Sequence, residues 1–155
     1  KASFFFFFSE IEGEESVVKR MKEEGHLIGN HTWTHVQLTT LSDDAASEEL
    51  RETNKEIASV TGDEPQFMRP PFGTISKKVE NKMKMIPILW SVDSLDWTTS
   101  NSDEIVNRVV TQVEDGDIIL LHDCYDSSVD AALRIIDLLT AQGYEFVTAD
   151  ELITD

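Results

Sequence analysis

The sequence predicts an α/β fold built on a parallel sheet, and three observations carry the prediction. Short apolar runs alternate with stretches of helical periodicity along the whole chain, turn signals separate them, and three of the four histidines stand directly after such a run. Six strands alternating with helices require crossover connections, so the sheet is either open and doubly wound or curled into a barrel. The 155 residues carry 13 basic and 30 acidic side chains, a formal net charge of −17, with 40% hydrophobic and 28% charged residues. That composition and length describe one soluble globular domain that needs neither disulfide nor metal merely to fold.

Taken in order, the first strand covers residues 2–8, where Phe4 to Phe8 form an unbroken aromatic run that is unusual for a packed core. A helix follows over Ser16 to Glu24, with Val17, Val18 and Met21 on one face and Gly25 as its stop signal. His26 to Gly29 forms the second strand. Ser42 caps a long helix reaching Val60, because Ala46, Leu50, Thr53, Ile57 and Val60 recur at steps of four and three. The third strand covers Gln66 to Arg69, a helix covers Ser76 to Met83, and the fourth strand runs from Met85 to Val92, where Pro87 marks irregular or edge pairing. Asn101 and Ser102 cap a helix carrying Ile105, Val106, Val109, Val110 and Val113. Asp115-Gly116 then turns into a fifth strand, Asp117 to Leu121. Val129, Ala132, Leu133, Ile136 and Leu139 mark a last helix ending at Gly143, and Glu145 to Thr148 is the sixth strand.

Charge and composition exclude several functions. An excess of 17 negative charges repels nucleic-acid phosphates and anionic headgroups, so nucleic acid is not an expected partner. No run approaches the ~20 apolar residues of a membrane span, and the chain is not expected to be membrane-embedded. Cys124 is the only cysteine, which excludes an internal disulfide and any CxxC site; no signature of a cysteine nucleophile surrounds it.

The reactive residues gather at strand C-terminal ends, the face on which α/β folds build active sites. His31 and His35 follow the second strand and are spaced so that, in a helical segment, both imidazoles could reach one divalent ion. Arg69 ends the third strand and enters the stiff turn Pro70-Pro71-Phe72-Gly73, whose backbone N–H groups could face a developing oxyanion. Asp93 and Asp96 follow the fourth strand together with Trp97, an aromatic suited to stacking on a sugar. His122 and Asp123 follow the fifth, where an imidazole beside carboxylates suits general-acid work.

Four of these segments, in this order, resemble motifs of the polysaccharide deacetylases, the NodB-homology domains of carbohydrate esterase family 4. They are Gly25-His26-Leu27-Ile28-Gly29-Asn30-His31-Thr32-Trp33-Thr34-His35, Arg69-Pro70-Pro71-Phe72-Gly73, Asp93-Ser94-Leu95-Asp96-Trp97 and Leu121-His122-Asp123. The resemblance implies a distorted (β/α) barrel that removes acetyl groups from N-acetylglucosamine-containing polysaccharide such as peptidoglycan or chitin oligosaccharide, using one Zn²⁺ or a similar divalent ion such as Co²⁺. It implies His31 and His35 as metal ligands, His122 as the general acid, Arg69 as the residue orienting the base, and Asp96 as the partner tuning His122. Substrate contacts would come from Pro71, from the backbone N–H of Phe72 at the oxyanion, and from Trp97 and Leu121 around the acetyl methyl group. An extracellular or cell-wall location follows from the same resemblance.

One motif of the family, Thr-Phe-Asp-Asp-Gly at the end of a preceding strand, has no match here, and with it go the catalytic base and a third metal ligand. Lys1-Ala2-Ser3-Phe4-Phe5 resembles the start of the family's second strand. The expectation is therefore an N-terminally truncated barrel of six parallel strands, nearly inactive without a missing N-terminal segment that would be its partner. Asp43-Asp44 stands at a helix start away from the rim and does not substitute. Two alternatives share these residues: an acetylxylan esterase, and a catalytically dead carbohydrate-binding remnant.

Overall fold

A computed structural model of the chain describes residues 1–154. Two compact units are present, one formed by Lys1–Leu89 with the residues from Thr148 onward, the other by Trp90–Val147. In chain order the elements are β1 (Ser3–Phe6), α1 (Phe8–Ile11), α2 (Glu15–Glu23), β2 (Leu27–Asn30), α3 (Asp43–Thr61), β3 (Phe67–Met68), α4 (Lys77–Met83), β4 (Ile86–Pro87), β5 (Val92–Asp93), α5 (Ser102–Val110), β6 (Ile119–Leu120), α6 (Asp126–Ala141) and α7 (Ala149–Thr154).

In the first unit β1 to β4 form one sheet in sequence order, every pair parallel. The longest ladder pairs Ser3 with Leu27 through to Phe6 with Asn30, which aligns the C-terminal ends of β1 and β2. Gly29 is required there, because a Cβ on it would lie 2.5 Å from the Phe5 ring. The helix α3 starts where the sequence predicts: the Ser42 hydroxyl accepts from the Ala45 N–H at 3.3 Å, and Gly62 ends the helix in the left-handed region at φ 88°. Its inward stripe divides between two clusters, Ala46 and Leu50 with Leu38, Met68, Val79 and Met85, and Ile57 with Phe6, Ile11, Val18 and Ile28.

In the second unit β5 and β6 pair in parallel, Val92 with Ile119 and Asp93 with Leu120. Over them Ile105, Val106 and Val109 of α5 pack on Ala131, Ile135 and Leu139 of α6. The Asn101 side chain caps α5 by accepting from the Asp103 and Glu104 N–H groups.

Three expectations are corrected. The predicted first strand stops at Phe6, and Phe8 begins a short helix. The predicted strand from Met85 to Val92 is two strands, β4 and β5, in different ladders; the Ile86 and Ile88 N–H groups donate to the Gln66 and Met68 carbonyls beside β3, whereas the Ser91 and Val92 N–H groups donate to the Ile118 carbonyl. Glu145 to Thr148 forms no ladder among the described residues. Tyr144 and Phe146 pack on the core of the second unit, and the Thr148 N–H and hydroxyl both turn to Glu151 at 2.9 Å. Among the described residues the strand count is six and every pairing is parallel, as predicted, although the six are not the predicted set.

Candidate active site

In the first unit the site residues follow β2 and β3. The segment after Asn30 is a turn rather than a helix, so the expected helical face does not unite the histidines. Two left-handed residues do so instead, Thr32 at φ 71° and His35 at φ 57°, and the two imidazole rings meet edge to face with centroids 4.8 Å apart. His31 Nδ1 lies 2.6 Å from the Arg69 carbonyl oxygen. A carbonyl only accepts, so that contact assigns the proton to Nδ1 and makes Nε2 the lone-pair nitrogen.

Several side chains hold this turn. Asn30 is fully buried; its amide donates to the Leu50 carbonyl at 2.7 Å and to Asn54 Oδ1 at 2.6 Å, while its oxygen accepts the Thr32 N–H at 2.7 Å. The Glu49 carboxylate accepts from the N–H groups of Trp33 and Thr34. Phe8 stacks on Trp33 with centroids 4.0 Å apart, and Phe7 and Phe72 both approach the His35 ring. The aromatic run thus divides, its end serving the turn. Neither Glu49 nor Asn54 was singled out by motif; both lie on or beside the inward stripe of α3, where a polar side chain among apolar ones is the available signal.

Arg69 is anchored by three contacts. Its Nε donates to the Ile88 carbonyl and its Nη2 to the Leu89 carbonyl, both at 3.1 Å, and its guanidinium lies over the Phe5 ring at 4.6 Å. Burial pushes its pKa down to about 10. Beyond it Pro71 is buried and stiffens the turn, while Phe72 sits in the left-handed region at φ 59° with two-thirds of its surface exposed.

In the second unit Asp96 and His122 form a pair. Asp96, fully buried, accepts the His122 backbone N–H on Oδ2 at 2.6 Å and the His122 ring on Oδ1 at 2.8 Å. Burial pushes the Asp96 carboxyl up, but the hydrogen bonds from the His122 ring and the His122 N–H outweigh it and hold the pKa below the ordinary carboxylate value. An ionised carboxylate accepts only, so Nδ1 of this half-exposed imidazole carries the proton and Nε2 is the nitrogen turned away from Asp96. Leu95 in the left-handed region turns the chain into Asp96, and Arg108, which no motif indicated, pins this loop through the carbonyls of Ser94 and Leu95. Trp97 and Tyr125 stand exposed, and Leu121 packs partly buried on the core. An open groove of about 290 Å³ is lined by Asp96, Trp97, Thr98, Thr99, Ser100, Tyr125 and Ser127. It adjoins a wider one of about 590 Å³ through Ser100, Tyr125 and Ser127.

The donors present determine the fit to a divalent ion. Two neighbouring imidazoles, one with its Nδ1 committed to a carbonyl, have the ligand type and outer-shell support that zinc or cobalt takes. They fit as a partial set: among the described residues no group of three or more His, Cys, Asp or Glu stands ready for a metal. Asp43 and Asp44 serve elsewhere, Asp43 accepting from the Ser76 hydroxyl and Asp44 pairing with Lys82 of α4.

The comparisons with known proteins agree with the motifs. A polysaccharide deacetylase family model matches residues 1–88. Over 97% of its length the chain is 42% identical to the peptidoglycan-N-acetylmuramic acid deacetylase PdaC of Bacillus subtilis, of which it covers 32%. Over 98% it is 38% identical to the peptidoglycan-N-acetylglucosamine deacetylase PgdA of Listeria monocytogenes, of which it covers 33%. The chain thus spans about a third of the length of these curated relatives. The solved structure of PdaC superposes with a TM-score of 0.94 at 41% identity, covering 98% of this chain and 75% of that one. A family 4 acetyl xylan esterase from Clostridium thermocellum, solved with a cobalt ion, gives 0.90 at 30% identity, covering 98% and 76%. With motifs, family model and NodB-type (β/α) barrel fold in agreement, the chain belongs to the polysaccharide deacetylase family.

Proposed function

We propose that this domain serves the metal-dependent removal of acetyl groups from N-acetylated amino sugars of peptidoglycan. The observation that carries the reading is the Asp96–His122 pair, a buried carboxylate that fixes one tautomer of a half-exposed imidazole. In that state His122 Nε2 is placed to hold a proton and deliver it to the departing amine, which must leave protonated. Asp96 stabilises the imidazolium before transfer. His31 and His35 would hold the ion, which when bound polarises the acetyl carbonyl and lowers the pKa of water. The Phe72 N–H supports the developing oxyanion, Arg69 orients a carboxylate base, and Trp97 and Leu121 enclose the acetyl methyl group. Pro71 keeps that turn rigid. The open groove beside Asp96, with Trp97 and Tyr125 exposed, suits a glycan whose rings stack on aromatics.

Because two imidazoles are short of the usual three protein ligands, the base and third ligand are assigned to sequence outside these residues, and the 155-residue chain alone is expected to be nearly inactive. Among the described residues no helix is long and apolar enough to cross a membrane, and an extracellular or cell-wall location follows from the proposed substrate.

The test is acetate release from peptidoglycan and from N-acetylglucosamine oligomers with excess Zn²⁺ or Co²⁺, comparing the chain with an N-terminally extended form. Turnover by the extended form alone is expected; robust turnover by the chain alone overturns the assignment. Acetylated xylan assayed in parallel distinguishes an esterase, and glycan binding without hydrolysis by either form identifies a binding remnant.

A further inference from the structure

We propose that Glu49 is a positioning residue that sets the geometry of the His31–His35 pair. The turn carrying these histidines contains two non-glycine residues in the left-handed region, Thr32 at φ 71° and His35 at φ 57°. Each such residue is strained and persists only where its surroundings enforce it. Three attachments do so, at different points. Asn30 holds the entrance, accepting the Thr32 N–H at 2.7 Å. Phe8 holds the middle, its N–H donating to the Trp33 carbonyl at 3.3 Å and its ring stacked on the Trp33 indole. Glu49 holds the exit.

From α3 its carboxylate oxygen Oε2 accepts both successive N–H groups, Trp33 at 3.0 Å and Thr34 at 2.8 Å, while the Thr34 hydroxyl lies 3.0 Å from Oε1 and 3.1 Å from Oε2. Two adjacent amides converging on one anion fix two adjacent peptide planes. Those planes end at Thr34, whose hydroxyl is held by the same carboxylate, so together they fix the course of the chain up to the residue before His35. The His31 ring is fixed independently by the Arg69 carbonyl. Glu49 therefore sets the backbone from which His35 departs, while Phe7 and Phe72 pack against its ring, and through that backbone it sets the placement of the His35 ring against His31. A glutamine cannot replace it fully: its amide oxygen accepts from the backbone, but its NH₂ group brings donors where Glu49 offers only acceptors.

The test combines a metal-free readout with a metal readout, and only the second rests on the proposed role of the histidines. In the 155-residue chain, the nuclear Overhauser contact between the two imidazole rings reports their geometry, and amide exchange at Trp33 and Thr34 reports the clamp. Titration with Co²⁺ reports ligation. Glu49→Ala is expected to lose the ring contact, accelerate exchange at both amides and weaken Co²⁺ binding by about tenfold or more. Glu49→Gln is expected to retain the ring contact with partial loss of amide protection and a few-fold weaker binding. Persistence of the wild-type ring contact and Co²⁺ affinity in Glu49→Ala, despite faster amide exchange, overturns the proposal. If Glu49→Ala fails to fold, Glu49→Gln decides: wild-type amide protection and affinity in that variant overturn it. A wild-type chain that binds no Co²⁺ refutes the metal reading of this chain, and the ring contact then decides the role of Glu49 alone.

Discussion

Asp96 accepts two hydrogen bonds from a single histidine, and they do different work. The bond from the His122 backbone N–H fixes the chain just beyond β6, while the bond from the ring selects a tautomer. Replacing Asp96 by Asn puts an NH₂ group against one of these donors and removes the charge that stabilises an imidazolium. In the N-terminally extended form used to test the proposed deacetylation, acetate release is expected to fall about 10²-fold or more with little change in KM, as kcat and KM measured on N-acetylglucosamine oligomers will show. The lowered pKa of Asp96 also has a definite sign for stability. A carboxyl whose folded-state pKa lies below its unfolded value stabilises the fold fully above the unfolded value, near 3.8, and loses that contribution as pH falls through the lower folded value. The thermal midpoints of wild type and Asp96→Asn should therefore differ at neutral pH and converge below pH 3.8, which calorimetry across that range will test. Asp96 and His122 were legible in the sequence because both stand in recognisable motifs. Glu49 and Arg108 were not, since their roles depend on which loop their helices face, and no local pattern encodes that.

At the scale of elements, the closest constraint is between β1 and β2. Gly29 admits the Phe5 ring into the space a Cβ would fill, and that same ring carries the Arg69 guanidinium on it. Gly29→Ala is expected to destabilise the fold by about 1–3 kcal/mol, the usual cost of overpacking, and to move the Arg69 side chain with the displaced ring. Urea unfolding measures the first effect; pairing the change with Phe5→Leu, which makes room, should recover part of the loss. The short α1 and α7 were not legible in the sequence, and α6 buries Ser128, Ala131 and Ile135 rather than the predicted Val129, Leu133 and Ile136. The long helix α3 was legible almost to the residue because capping and 3.6-residue periodicity are local: Ser42, Ala46, Leu50 and Ile57 sufficed. The strands were less so. Whether an apolar run becomes a strand depends on a partner, which is why Glu145 to Thr148, with strand-like composition, joins no ladder among the described residues, and why the run from Met85 to Val92 divides where its N–H groups turn from the Met68 carbonyl to that of Ile118.

Across the whole molecule, the charge of −17 exceeds what local pairing absorbs. Ion pairs such as Arg20 with Glu24 and Arg134 with Asp103 are largely exposed and contribute little individually, so self-repulsion dominates. Raising NaCl from low values to ~0.5 M, where screening acts within several ångströms, should raise the urea midpoint; a fall would mean that the pairs outweigh the repulsion. The order of the motifs along the chain was legible from sequence, and with it the family. How the reactive turn is built was not, because its supports come from residues well separated in sequence. That separation bears on folding kinetics. The Asn30 NH₂ group donates to oxygens 20 and 24 positions further along, so those two bonds form only once β2 and α3 have docked. Interactions completed after the rate-limiting step leave the folding rate alone and govern escape from the native state. Asn30→Ala is accordingly expected to shift the unfolding arm of the chevron upward while the folding arm stays in place, making this one buried amide a latch on the lifetime of the folded domain.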